Sequence, residues 1–259
     1  MSDSHVHYRI DNAIACITLD RPPVNAFSLG FLDDILATLE HARTDASVRA
    51  VLLTSDIPGR FCAGLDLDIL LGKPESEIRP FLEKLYVQLW DAQCALGKPS
   101  IAVVNGAARG GGMTLAISCD VILAGESATF GYPEIDLGLL PAIHLSHLPR
   151  LIGRARAVEL LFSGRSFTAS EAERTGLITR THPDEALREE ATKLAAVFAS
   201  KSPQAIQAGR AVMVRMQDKG YREDILAAVD EFCGVAASDA AQEGLRAFIE
   251  KRAPEWPSE

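Results

Sequence analysis

The chain has 259 residues, of which 47% are hydrophobic and 24% charged, and its formal net charge is −9 at pH 7. This composition is typical of a globular protein that buries a large core, and the negative charge argues against general binding to nucleic acid or to an anionic membrane surface. The five cysteines lack metal-ligand spacing, and neither a targeting segment nor a membrane-spanning apolar run is evident, so we expect a cytoplasmic protein without a metal site or covalently bound cofactor.

The first hundred residues predict strands and helices in alternation. Alternating apolar residues between positions 6 and 19 predict a hairpin that turns at Asp11-Asn12. Apolar residues at helical spacing predict a helix from Leu32 to Leu39 and a longer one from Ile78 to Leu89. Residues 49–55 lie between these helices and predict a buried strand.

A glycine turn between a predicted strand and a predicted helix is the most informative feature of the chain. A strand pattern beginning at Ile101 is followed by Gly110, Gly111 and Gly112 and then by the helix-like run 113–118. Glycines let another molecule approach the backbone closely, and a helix N-terminus adds unpaired N–H donors. No Walker or GxGxxG pattern is present. The turn therefore predicts a site for a forming oxyanion rather than a phosphate, with tight helix–strand packing as the alternative.

The remainder of the chain is predicted to be mainly helical. Residues 121–124 predict one more strand, and Leu177-Ile178 predict a last short one. Thr168 and Glu171 form a capping-box pattern. Helical periods cover the following ranges: 153–162, 168–174, 185–200, 203–217, 221–237 and 240–251. Strand–helix alternation followed by helices favours an α/β class with parallel or spiralling sheets.

A second small loop, Gly59–Asp66, follows the predicted strand at residues 51–53, so two separate turns could supply the two N–H groups of an oxyanion hole. At this point the chain resembles the crotonase, or enoyl-CoA hydratase/isomerase, superfamily. The resemblance rests on segments that occur in the order and at the spacing of that family: LDRPPVNAFS, FCAGLDL, KPSIAVVNGAARGGG, SCDVILAGESATFGYPEIDLGLLP and FIEKRAPEW.

The resemblance implies an α/β fold built as a crotonase-like spiral of ββα units over residues 1–195. It implies a C-terminal helical segment over residues 196–259 that assembles a homotrimer or a dimer of trimers. The substrate is expected to be an acyl-CoA, so that coenzyme A enters as part of the substrate. By motif position, the N–H groups of Ala63 and Gly111 are expected to bind the thioester oxygen of an enolate.

Glu134 is the predicted proton carrier. The apolar neighbours Phe130, Tyr132 and Ile135 would raise its pKa, although a surface glutamate or helix cap is the alternative from the residues alone. The resemblance implies the catalytic role. Hydratases of the family carry a first glutamate where this chain has Thr114, and a hydroxyl cannot accept and return a proton near neutral pH. We therefore prefer an isomerase that converts 3-enoyl-CoA to 2-enoyl-CoA.

Three alternatives stay open. The first is an enoyl-CoA hydratase with reduced or specialised activity. Separately, Asp136 is a candidate second acid, in place of the acidic group that dienoyl-CoA isomerases would need near Ala142. The second is a CoA-thioester or β-diketone hydrolase that uses His144. The third is a non-catalytic scaffold on the same fold.

The resemblance also implies contacts to the acyl-CoA. The nucleotide is expected to lie over the loop at residues 63–66, with additional contacts from C-terminal helices of a neighbouring subunit. The candidate substrate and CoA contacts are Arg21, Ala26, Cys62, Gly64, Leu65, Asp66, Gly110, Tyr132, Phe232 and Lys251.

Overall fold

The computed structural model describes residues 5–217 and 220–257, within which the strands, in chain order, are β1 (Val6–Asp11), β2 (Ile14–Leu19), β3 (Ala50–Ser55), β4 (Gly59–Cys62), β5 (Ser100–Val104), β6 (Gly106–Arg109), β7 (Val121–Gly125), β8 (Thr129–Gly131), β9 (Phe167–Thr168) and β10 (Arg180–His182). They form two sheets. The larger has the order β1-β2-β3-β5-β7-β10 and the smaller the order β4-β6-β8-β9.

The α-helices of the described residues are α1 (Leu29–Thr44), α2 (Glu75–Leu82), α3 (Leu89–Ala95), α4 (Gly111–Ser118), α5 (Ala142–Ile152), α6 (Arg154–Ser163), α7 (Ala169–Thr175), α8 (Leu187–Ala199), α9 (Pro203–Gln217), α10 (Tyr221–Ala236) and α11 (Asp239–Ile249). A π-helical segment, Glu83–Gln88, joins α2 to α3. Short 3-10 helices lie at Leu67–Ile69 and Pro133–Leu137. None of the helices in the described ranges is long and apolar enough to cross a membrane.

The chain alternates between the two sheets. β3, β5 and β7 lie parallel in the larger sheet, and each is followed directly by a strand of the smaller sheet, namely β4, β6 and β8. A helical segment follows each of these pairs. This repetition is the ββα spiral that the sequence predicts, and it confirms the α/β class.

Both faces of the larger sheet are covered, which explains why β3 and β5 are buried at every position. Alternate side chains point to opposite faces of a strand. Leu52, Ile101 and Leu123 therefore pack with α8 on one face, while Leu53 and Ala102 join the main core on the other.

Three local predictions are corrected by the structure. The first hairpin turns at Asn12-Ala13, both at positive φ, rather than at Asp11-Asn12. The predicted helix from Ile78 to Leu89 is part of a longer helical run that passes through the π-helical segment. Leu177-Ile178 is not a strand, because both N–H groups donate to the Ala172 carbonyl oxygen in α7. The short strand of this region is β10, which begins two residues later at Arg180.

The C-terminal helices are placed by contacts with their own chain. α10 packs against α2, the π-helical segment and α5. The predicted division between residues 195 and 196 lies within α8 and stays a prediction, as does the assembly of subunits.

Candidate active site

The turns after β4 and β6 lie in contact, and glycine makes the approach possible. Gly64 has φ +95°, and a Cβ built there would lie 2.9 Å from the Arg109 carbonyl oxygen and 3.2 Å from the Gly111 nitrogen. A side chain at this position would therefore collide with the second turn. The structure brings together the two loops that the sequence predicts to form one site.

The N–H group of Ala63, one of the two predicted donors, is already occupied. It donates to the Val24 carbonyl at 3.0 Å, within the segment that packs beneath the loop. A donor held in this hydrogen bond is not available to a substrate oxygen. The prediction of Ala63 as an oxyanion donor is therefore wrong.

The free donor of this loop is Leu65. Phe27 and Leu65 form a parallel β-bridge. In it, the Phe27 N–H donates to the Gly64 carbonyl oxygen, and the Asp66 N–H donates to the Phe27 carbonyl oxygen. This pattern turns the Leu65 N–H away from Phe27. Within the described residues, neither the Leu65 N–H nor the Gly111 N–H has an acceptor. A Cβ on Gly111 would lie 2.9 Å from Leu65 Cδ1, so the two positions are neighbours.

Asn25, which the sequence analysis did not single out, holds the first loop in place. Its fully buried amide donates to the Ser55 hydroxyl at 2.8 Å and to the Phe61 carbonyl at 2.9 Å. Its side-chain oxygen accepts from the Arg21 N–H at 2.7 Å, and its own φ is 53°. The signal in the sequence is an asparagine directly after two prolines and a valine, where its tolerance of positive φ is useful.

The carboxyl group of Glu134 lies beside the second turn. The 3-10 helix Pro133–Leu137 places it so that Oε1 is 2.5 Å from the position that a Cβ on Gly110 would take. Part of the residue is accessible, but Oε2 is enclosed and has no hydrogen-bond partner within the described residues. This burial raises the pKa of Glu134 to about 7. The group can therefore exchange a proton near neutral pH.

A small cavity of about 70 Å³ connects these groups. Its lining includes Leu65, Gly110, Gly111, Glu134 and Phe232. Phe232 is 2% exposed, and it reaches the cavity from α10 of the same chain. The contact of Phe232 with the substrate, and the neighbouring subunit to which that substrate is expected to belong, stay predictions.

Thr114 and His144 form a separate buried pair behind the second turn. Thr114 Oγ1 lies 3.3 Å from His144 Nε2, which is 3.4 Å from the Gly110 carbonyl oxygen. Burial lowers the pKa of His144 to about 3, so the imidazole is neutral. Neither residue lines the cavity at Glu134. Tyr132 is also buried, with its ring 4.6 Å from that of His144.

Asp136 and Lys251 lie outside this cavity. Asp136 is exposed, and its carboxylate faces the backbone of Gly164, where an added Cβ would lie 2.8 Å away. Lys251 is exposed after the end of α11. The structure therefore does not bring either residue to Glu134.

Arg21, Ala26 and Asp66 form a connected group at the edge of the first loop. The Arg21 guanidinium donates to the Ala26 carbonyl at 2.6 Å and lies 3.4 Å from the Asp66 carboxylate. Cys62 is buried, its thiol donates to the Asn25 carbonyl at 3.0 Å, and burial raises its pKa to about 12. These contacts give Arg21 and Cys62 roles in fixing the loop.

The arrangement has the parts needed for proton transfer through an enolate. Two free peptide N–H groups can bind one carbonyl oxygen, and a buried carboxyl of pKa about 7 can take a proton beside it. Within the described part of the chain, no group of three or more histidine, cysteine, aspartate or glutamate residues is arranged to hold a metal ion.

The chain is similar over nearly its whole length to known proteins and solved structures. A family model described as enoyl-CoA hydratase/isomerase matches residues 9–259. A probable enoyl-CoA hydratase of Bacillus subtilis (strain 168) is 35% identical over 96% of this chain and 97% of the relative. The 2,3-dehydroadipyl-CoA hydratase of Escherichia coli (strain K12) is 36% identical over 94% of each chain. The crystal structure of an enoyl-CoA hydratase/isomerase from Xanthobacter autotrophicus Py2 has a TM-score of 0.87 and 27% identity, over 98% of this chain and 99% of that one.

Proposed function

The chain belongs to the enoyl-CoA hydratase/isomerase family, and we propose that within it this protein moves the double bond of a 3-enoyl-CoA to give a 2-enoyl-CoA. The observation that carries the proposal is the buried Glu134 carboxyl beside the two free N–H groups, with no second acid among the described residues that line the same cavity.

In the proposed mechanism, the thioester oxygen accepts hydrogen bonds from the Leu65 and Gly111 N–H groups. The Glu134 carboxylate removes a proton from C2, and the electron pair of that C–H bond moves into the carbonyl to form a dienolate. Two aligned donors stabilise this charge more strongly than they stabilise the neutral ground state. The protonated Glu134 then delivers the same proton to C4, which leaves the double bond between C2 and C3.

The pKa of Glu134 suits both halves of this cycle. At about 7, the carboxyl is a stronger base than an ordinary glutamate, yet it is still ionised in a large fraction of molecules at neutral pH. The position at Thr114 supports a single-acid mechanism, because its hydroxyl is engaged with His144 rather than directed at the cavity.

Hydration of a 2-enoyl-CoA is the second candidate, since relatives at 35% and 36% identity are named hydratases. In this case Glu134 would have to activate the water and return the proton alone. We expect hydration to be slower than isomerisation for that reason. Hydrolysis through His144 is less well supported, because the imidazole is buried outside the cavity.

We further propose that the acyl-CoA enters over the loop at residues 63–66 and that subunits assemble as a homotrimer or a dimer of trimers. Support for assembly comes from large apolar side chains that are exposed on several helices of the described chain: Leu151 on α5, Phe162 on α6, Met213 on α9 and Phe248 on α11. Subunits that pack against these helices would cover these side chains.

The test is to supply purified protein with 3-hexenoyl-CoA and, separately, 2-hexenoyl-CoA, and to follow double-bond migration and water addition. Faster migration than hydration, with both lost in Glu134→Gln, is the expected result. Hydration at the rate of migration would favour the second candidate. Migration that survives in Glu134→Gln would remove this residue from the mechanism.

A further inference from the structure

A second, larger cavity lies at the far end of α4 from the oxyanion turn. We call it the distal chamber; its volume is about 380 Å³, and its lining includes Trp90, Gln93, Ile117, His147, Phe198 and Arg210. α4 begins at Gly111, and its last residues, Ile117 and Ser118, line the chamber. At a rise of about 1.5 Å per residue, the helix spans roughly 10 Å between the two sites.

A small cavity, which we call the throat, adjoins the distal chamber. It has a volume of about 10 Å³ and shares Trp90, Ile117 and Ser118 with the chamber. Tyr86, from the π-helical segment, lines the throat and packs edge-on against Phe232, with ring centroids 6.4 Å apart. Phe232 in turn lines the cavity at Glu134. The three spaces therefore follow one another along α4.

The distal chamber is mainly apolar, but three of its residues carry a buried polar atom that has no hydrogen-bond partner within the described residues. These atoms are Gln93 Oε1, His147 Nε2 and Arg210 Nη1. Gln93 is only 2% exposed. A buried polar atom without a hydrogen-bond partner destabilises a protein, so three such atoms around one cavity point to a polar ligand group that binds there.

The other polar atoms of these side chains are held in place. Gln93 Nε2 donates to the Cys119 sulfur at 3.6 Å, and His147 Nδ1 lies 3.1 Å from the Tyr221 hydroxyl. Arg210 Nη2 donates to the Gln93 carbonyl at 3.0 Å. The unpaired atoms are therefore preorganised for a ligand.

The charge of the distal chamber is balanced. The Arg210 guanidinium pairs with both oxygens of Asp120, with Nη2–Oδ1 at 2.9 Å and Nε–Oδ2 at 3.0 Å. His147 is neutral at pH 7, because burial and then the charge of Arg150 lower its pKa to about 4. A ligand group that both donates and accepts hydrogen bonds without a charge fits this set, whereas a carboxylate would add an unbalanced negative charge.

We propose that the distal chamber binds the far end of a medium-length acyl chain that carries an uncharged hydrogen-bonding group, such as a terminal hydroxyl. This inference rests on the proposed function in one respect, namely that the thioester end of the same acyl-CoA lies at Glu134. The throat then selects an unbranched chain, and the distance of roughly 10 Å along α4 excludes short chains from the polar atoms.

Binding of saturated acyl-CoAs tests the proposal without requiring turnover. We expect the protein to bind 10-hydroxydecanoyl-CoA about fivefold more tightly than decanoyl-CoA in calorimetric titrations, as one net hydrogen bond would give. Gln93→Met removes the acceptor at similar volume and should abolish this preference while retaining decanoyl-CoA binding. Gln204→Met, the same change at an exposed position of α9, should retain the preference.

A second variant tests whether the acyl chain passes through the throat into the distal chamber. Ile117→Phe adds volume where the throat meets the distal chamber, so it should weaken decanoyl-CoA binding at least tenfold and leave hexanoyl-CoA binding unchanged. Circular dichroism confirms that each variant is folded. The inference would be overturned if the wild type bound 10-hydroxydecanoyl-CoA and decanoyl-CoA equally, or if it bound the decanoyl-CoA with a terminal carboxylate most tightly. It would also be overturned if Ile117→Phe had no effect on binding. Failure of the proposed function would appear separately, as a lack of isomerisation of 3-hexenoyl-CoA by a protein that still shows the binding preference.

Discussion

Replacement of Glu134 by glutamine should abolish isomerisation and, at the same time, stabilise the protein at alkaline pH. Glutamine retains the size of the side chain but can neither ionise nor carry the proton. Loss of a general base typically reduces the rate about 10²–10⁴-fold. In the wild type, we expect kcat/KM to rise with pH up to about 7 and to level off above it, since the ionised carboxyl removes the C2 proton.

The stability effect follows from the same pKa. Burial raises it from the ordinary value of 4.5 to about 7, so the folded state binds this proton more tightly than the unfolded state. Below pH 4.5 the group is protonated in both states and its ionisation has no effect. As the pH rises, ionisation of the buried carboxyl destabilises the folded state, and the cost is complete above about pH 7. At about 1.4 kcal/mol for each pH unit, it amounts to about 3 kcal/mol.

Urea unfolding at pH 4.5 and pH 8 measures this difference. The Glu134→Gln variant should gain up to about 3 kcal/mol over the wild type at pH 8 and much less at pH 4.5. Glu185→Gln makes the same charge change at an exposed position and should show no such gain. A Glu134→Gln variant that is inactive but no more stable at pH 8 would contradict the burial argument, and an active one would contradict the mechanism.

Three further predictions concern the surroundings of the site. Thr114→Glu should raise the ratio of hydration to isomerisation at least tenfold, because it puts a carboxyl at the position where the family resemblance expects the first glutamate of a hydratase; an unchanged product ratio by mass spectrometry would contradict the role given to this position. Gly64→Ala should lower kcat/KM more than tenfold and destabilise the fold, since its Cβ would meet the second turn at 2.9 Å. Gly176→Ala, also at positive φ but with open space around it, should cost only about 1 kcal/mol of backbone strain and retain activity. Asn25→Ala should lower the free energy of unfolding by about 2–4 kcal/mol, measured by urea unfolding, because it leaves buried partners unpaired; a smaller loss would indicate that water replaces the amide.

Some features of the candidate site could be predicted from the sequence, and others could not. Both glycine turns and Glu134 could be selected from residue types, because glycine and a carboxyl among apolar residues have few other uses in such positions. Residue types could not show whether Ala63 or Leu65 supplies the free N–H of the first loop. Which N–H of the loop is free depends on the hydrogen bonds from Val24 and Phe27, which are distant in sequence.

The sequence by itself determined the α/β class, the alternation of strands and helices, and the residue types of the oxyanion turns, since these follow from local hydrophobic period and backbone freedom. Tertiary structure alone decided the direction of the donors, the raised pKa of Glu134 and the placement of Phe232 in its own chain's cavity. It also decided that Gln93, His147 and Arg210 surround one chamber. Burial and hydrogen-bond pairing are properties of contacts between remote segments, and a linear pattern does not specify them.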